Sequence, residues 1–157
     1  MEFQTSGITL GKGKACEDAI YAVAIAFNLL NNEMTSYLKD FNLTPAKFNV
    51  LMIIKHQGGE AGISQIEISK RLIVTPSNMT RLLEKLEREK FIEKTAQSGD
   101  KRVKVIKITA KTAKLLDAVW PGYSNELQRL SSFLHEAEQK TAAKILTKWI
   151  AGLSGRR

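Results

Sequence analysis

Two groups of residues in this chain could do chemistry, and both suit a polyanion. The first runs Asp100-Lys101-Arg102-Val103-Lys104-Val105-Ile106-Lys107-Ile108-Thr109. It follows Ser98-Gly99, so its two leading cations stand at a turn. Lys104 and Lys107 then alternate with apolar residues, as in a strand with one buried face. The second group is Ser77, Asn78, Arg81 and Lys85. If Met79, Leu82, Leu83 and Leu86 form the inner stripe of a helix, those four lie outward at spacings of three or four. Arginine can take guanine with two hydrogen bonds in the major groove, and asparagine can take adenine likewise. Ser77 and Thr80 suit phosphate, a contact that positions without specifying, and Thr75 stands at the same helix end. Arg102 suits a narrow minor groove, where negative potential is focused, and Lys101 and Lys104 add charge beside it. Asp100 is expected either to pair with a nearby cation and fix the tip, or to bond its own backbone as turn aspartates do. A polar helical stripe is often just a solvated face, so the rest of the sequence must decide.

Charge supports the first alternative. The chain has 157 residues and a formal net charge of +8. Between residues 44 and 109, thirteen cations face seven anions, which is six of the eight net charges. Such an excess favours an anionic partner by long-range attraction. A membrane is set aside, because the longest apolar run, Ala19–Leu30, is too short to span a bilayer. Glu17 and Asp18 abut it, and its helical spacing continues past Asn32, so it does not read as a signal peptide. A cytoplasmic protein is expected, and the single cysteine, Cys16, suits a reducing compartment. There is no glycine-rich phosphate loop, no metal-ligand spacing and no local nucleophile–base pair. His56 and His135 are isolated. No enzyme activity, cofactor or metal is expected.

The elements that must position these residues are mainly helical. Residues 1–14 show no sustained pattern and are expected to be a mobile arm. Ile20, Val23, Phe27, Leu30, Met34, Leu38 and Phe41 step by three and four, which predicts one long amphipathic helix within a 15–43 segment. Thr44-Pro45 starts another helix, with threonine as cap and proline in the first turn, and Gly58-Gly59 stops it. Ser64 and Glu67 form a capping box for a short helix. Ile73-Val74 makes a turn, and Thr75-Pro76 begins the outward-reading helix to about Glu89. Phe91–Thr95 and Val103–Ile108 predict two strands around a tip at 96–101. Thr109 caps a long helix that Pro121-Gly122 should kink or break. A last helix begins near Glu136. Two helices joined by a tight turn and followed by a hairpin make a winged helix-turn-helix over 44–109. The fold class is therefore mainly α with a small β-hairpin wing. The flanking helices, 15–43 and 110–154, carry apolar faces that need another surface.

The span from Thr44 to Thr109 resembles the MarR family of winged-helix regulators. The residues that carry the resemblance are Leu43-Thr44-Pro45-Ala46-Lys47-Phe48, Ile66-Glu67-Ile68-Ser69-Lys70-Arg71-Leu72, Thr75 through Glu87, and Asp100-x-Arg102 before Ile108-Thr109. The resemblance implies a homodimer formed by the terminal helices, with Ile20, Val23, Phe27, Leu127, Leu130, Ile145, Leu146, Trp149 and Leu153 at its interface. It implies a pseudo-palindromic operator in double-stranded DNA, repression, and release by a small-molecule effector or an oxidant. Candidate effector contacts are Tyr37, His56 and Trp120, and the candidate redox residue is Cys16. Lys90 stands where the family usually has glycine, Lys94 where arginine is frequent, and Thr112 where glycine is usual. The alternative is a winged-helix module for protein or RNA without operator specificity. Affinity for duplex DNA should fall with salt, log K dropping by about 0.9 per phosphate contact per decade. An anisotropy titration with a flat salt response would contradict it.

Overall fold

The computed structural model describes residues 3–5, 8–11, 13–72, 76–97 and 100–155. For residues 3–5, 8–9, 76–77, 96–97 and 100–103 only the backbone is considered. The chain divides into two compact units, Met1–Trp120 and Pro121–Arg157.

In the first unit, strands β1 (Phe3–Thr5) and β2 (Ile8–Leu10) pair antiparallel, Phe3 opposite Leu10. This pairing was not visible in sequence: two three-residue strands give too short an alternation to show. Helix α1 (Ala15–Lys39) follows, as its periodicity requires. Only Met34 and Leu38 near its end are buried, while Ile20, Val23, Phe27 and Leu30 are exposed. Helix α2 (Pro45–Ile53) starts as expected: Thr44 Oγ1 accepts from the Lys47 amide at 3.2 Å. Its last turn, Ile54–Gly58, is wound as a π-helix before Gly59 reverses the chain at φ 48°.

Helix α3 (Gln65–Arg71) is capped by Ser64, whose Oγ accepts from the Glu67 amide at 3.2 Å. Helix α4 (Pro76–Arg88) comes next, and β3 (Ile92–Gln97) pairs antiparallel with β4 (Asp100–Ile108). Both strands reach further toward the tip than the apolar alternation indicated. The Ile73-Val74 turn, Thr75 and the Ser98-Gly99 tip lie outside the described residues. A further short pairing was not visible in sequence. Ile63 exchanges both backbone hydrogen bonds with Ile106, at 3.0 and 2.9 Å, and so adds a third rung to the wing's base.

The core explains the orientation of α4. Met79, Leu83 and Leu86 are fully buried, together with Ile68 from α3, Phe48 and Leu51 from α2, and Ile92 and Ile106 from the wing. Burying apolar side chains of this size stabilises by about 1.5–3 kcal/mol each. With those three residues inward, α4 can turn only its polar edge outward. Lys47 is also buried; its ammonium donates to Glu89 at 2.6 Å and lies 5.4 Å from the centroid of the Phe91 ring.

Helix α5 (Ala110–Ser131) starts at Thr109, whose Oγ1 accepts from the Thr112 amide at 3.2 Å. Pro121 lies inside this helix and does not break it. Proline removes one donor, and the hydrogen bonds on either side carry the helix through, yet the division into compact units falls at that residue. In the second unit, α6 (Glu136–Ser154) is preceded by a turn that Gln139 holds, its Nε2 donating to the carbonyls of Ser131 (3.1 Å) and Leu134 (3.0 Å). No residue of α6 is buried, and Ile145, Leu146, Ile150 and Leu153 are exposed.

Gly62 tests the wing's base. Its φ is 80°, and a Cβ there would stand 3.1 Å from Val105 Cβ and 3.2 Å from the Ile106 carbonyl oxygen. Gly62→Ala is expected to destabilise by more than about 1 kcal/mol, read as a lower urea midpoint with unchanged slope. An unchanged midpoint would show that the third rung yields freely.

Candidate nucleic-acid interface

The inward packing of α4 leaves Asn78, Thr80, Arg81 and Lys85 exposed. Ser77 lies on the same helix, with its side chain outside the description. On the wing, Lys104 is exposed, while Val105 and Ile106 are buried. Asp100, Lys101 and Arg102 occupy the first three positions of β4; their side chains are not described, so the expected pairing of Asp100 stays an expectation. The first unit thus carries an exposed cationic and amide-bearing helix edge together with the basic strand that follows it. Such a surface can offer donors to base edges and phosphates. Among the described residues no group of three or more metal-binding side chains occurs.

Ion pairs organise the flanks of this surface. Glu67 accepts from Lys70 and Arg71, each at 2.7 Å. The carboxylate expected to reach back to Ser64 is engaged here instead. The Arg71 guanidinium first, then the Lys70 ammonium, hold its pKa down to about 2, from an ordinary value of 4.5. Lys94 pairs with Glu87 of α4 at 2.6 Å, which ties the wing's first strand to that helix. Sequence reasoning missed that role. It also missed Gln65, whose Nε2 donates to Thr80 Oγ1 at 2.9 Å. A glutamine opening the first helix of a helix-turn-helix was the available signal, but its partner is fifteen residues away.

The remaining effector candidates lie on α1, the π-helical turn and α5. Tyr37 donates its hydroxyl to the Val119 carbonyl at 2.8 Å and packs its ring 5.4 Å from that of Phe41. His56 is exposed in the π-helical turn, and Trp120 is exposed on α5. A cleft of about 560 Å³ opens instead between α1, α2 and the end of α3, with Phe27, Asn49, Met52 and Arg71 in its lining. Tyr37, His56 and Trp120 are not among the residues lining it. Cys16 is exposed in the first turn of α1. Of the interface candidates, Ile20, Val23, Phe27, Leu127, Ile145, Leu146 and Leu153 are exposed, and Leu130 and Trp149 are half-buried.

A sequence profile described as MarR family matches residues 43–104, the span that holds the helix-turn-helix and most of the wing. The HTH-type transcriptional repressor MdtR of Bacillus subtilis is 30% identical over 78% of this chain and 77% of its own length. The chain belongs to the MarR family. It is a transcriptional regulator of the helix-turn-helix type. The HTH-type transcriptional regulator MhqR of the same organism is 25% identical over 78% of this chain and 83% of its own. Among solved structures, Staphylococcus aureus MepR in complex with DNA superposes with a TM-score of 0.77 at 26% identity, over 85% of this chain and 96% of that one. Among the described residues no helix is long and apolar enough to cross a membrane.

The Glu67 cluster gives a pH prediction. Its pKa is lowered on folding, so its stabilising contribution is present above about 4.5 and is lost as pH falls toward about 2. The group is solvent-exposed, so the effect on stability is small. An NMR titration of the Glu67 carboxyl carbon should show a midpoint well under 4.5 that rises in Arg71→Ala. A midpoint at the ordinary value in the unmodified protein would refute the pairing.

Proposed function

We propose that the protein acts as a homodimer that represses transcription by occupying a pseudo-palindromic operator. The observation that carries this reading is the exposed edge of α4, with Asn78, Arg81 and Lys85, beside a strand bearing Lys101, Arg102 and Lys104. Asn78 and Arg81 read base edges in the major groove, Thr75, Ser77, Thr80 and Lys85 hold phosphates, and Arg102 enters the adjacent minor groove. Dimerisation is supported by the apolar faces of α1 and α6. Ile20, Phe27, Ile145 and Leu153 are each more than half exposed, a state that a second copy would relieve by removing the apolar area from water. Two copies present two recognition helices, which is why a pseudo-palindrome is expected. The likeness to MdtR, named a repressor, supports repression, and the protein acts in the cytoplasm, where its DNA is.

An effector is the further part of this proposal. The cleft between α1 and α2 is largely apolar, with Arg71 in its lining, and it suits a small apolar anion. Cys16 is the candidate for an oxidant response.

Selection from random duplexes should yield an inverted repeat. Arg81→Ala is expected to cost about 1–3 kcal/mol and to relax one base position. Arg102→Ala should weaken binding at the flanking minor groove. Phe27→Glu with Leu146→Glu should move the sedimentation coefficient toward that of a monomer and abolish operator binding. Equal affinity for all duplexes, or a monomer that binds as tightly as the unmodified protein, would end this reading.

A further inference from the structure

We propose that the Glu87–Lys94 ion pair is a positioning strut for the wing: it sets the angle at which the hairpin leaves α4, and so where the backbone at Arg102 stands over the minor groove. The inference rests on the minor-groove role proposed above for Arg102. Lys94 lies on β3 and donates to the carboxylate of Glu87, near the end of α4, at 2.6 Å. Among the described residues it is the one ion pair between α4 and the hairpin.

The pair stands where apolar packing gives out. Ile92 and Lys94 are two residues apart on one strand and so share a face, and Lys94 is paired across the hairpin with Ile106. Ile92 and Ile106 are buried. One level nearer the tip, Lys104 is exposed. The core therefore grips the base of the hairpin, and the strut meets it at the last level the core reaches. Gln97, opposite Asp100, is five residues from Ile92, whereas Lys94 is two. For a hairpin that pivots at Ile92, a displacement at Lys94 becomes about two to three times larger at Gln97. Arg102 is two residues beyond Asp100 on the return strand, so its backbone shares that larger displacement. The Lys94 side chain is 21% exposed and its ammonium is engaged by Glu87. It acts on recognition through the wing and needs no phosphate of its own.

The test uses the full-length protein with the operator recovered by selection and two altered operators. One has the base pairs under the wing replaced, the other the base pairs under α4. The affinity ratio of intact to altered operator measures discrimination at each place. Glu87→Gln removes an anion and Lys94→Met a cation, so general affinity for duplex should rise in the first and fall in the second. Discrimination under the wing should nevertheless fall in both, by about two- to fivefold, the worth of one exposed ion pair. Discrimination under α4 should stay within about twofold, because that helix is held by its buried stripe. The double variant should lose no more than either single one, since the two groups act as a unit. Lys94→Arg keeps the pair and should keep discrimination. Discrimination that follows net charge, up in one single variant and down in the other, overturns the inference. Multiplying losses in the double variant, or equal losses under wing and helix, do so too. If Arg102→Ala abolishes discrimination under the wing while Glu87→Gln and Lys94→Met leave it intact, the strut alone is overturned. If Arg102→Ala leaves it intact, the minor-groove reading beneath the strut falls as well.

Discussion

The inward stripe of α4 is the constraint on which the rest depends. Met79, Leu83 and Leu86 share one buried face with Ile68, Phe48 and Ile92, and no rotation of the helix can keep those three dry while hiding Arg81. Hydrophobic burial is non-directional, but a helix with a single apolar stripe converts it into a direction. The direction of the exposed polar edge is therefore set by residues that lie buried behind it. The same core holds Val105 and Ile106 of the wing, so helix edge and basic strand are referred to one interior.

Around that core, polar links set finer positions. Lys94 with Glu87 joins wing to helix, and Gln65 with Thr80 joins helix to helix. Each is exposed and individually modest. They do not create the fold; they choose among small displacements that the apolar core would tolerate.

Local signals were the legible ones. Thr44, Ser64 and Thr109 cap the helices they were expected to cap, because a cap is a bond between residues two or three apart. The winged order followed from the 3.6-residue and two-residue periods. The illegible features are all non-local or short. The Ile63–Ile106 pairing joins single residues from distant segments. The strands at Phe3–Thr5 and Ile8–Leu10 are below the length at which alternation shows. Of the kink or break expected at Pro121, the break does not occur, because the rule concerns one lost donor while the helix around it answers to many. At the site, exposure of Asn78, Arg81 and Lys85 followed from the helix period. The cleft beside Phe27 and Asn49 was not indicated, because no local pattern predicts which side chains share a cleft.

Lys47 and Glu89 give the end of α4 a thermal character unlike its middle. The middle is held by oil, and the end by a charged pair set under Phe91. Hydration of ions weakens on warming, so the cost of sequestering such a pair declines with temperature, whereas apolar association per unit area levels off. The cost of holding the pair beneath the left-handed turn at Lys90 therefore falls on warming, the opposite sign of temperature dependence from a contact that simply weakens with heat.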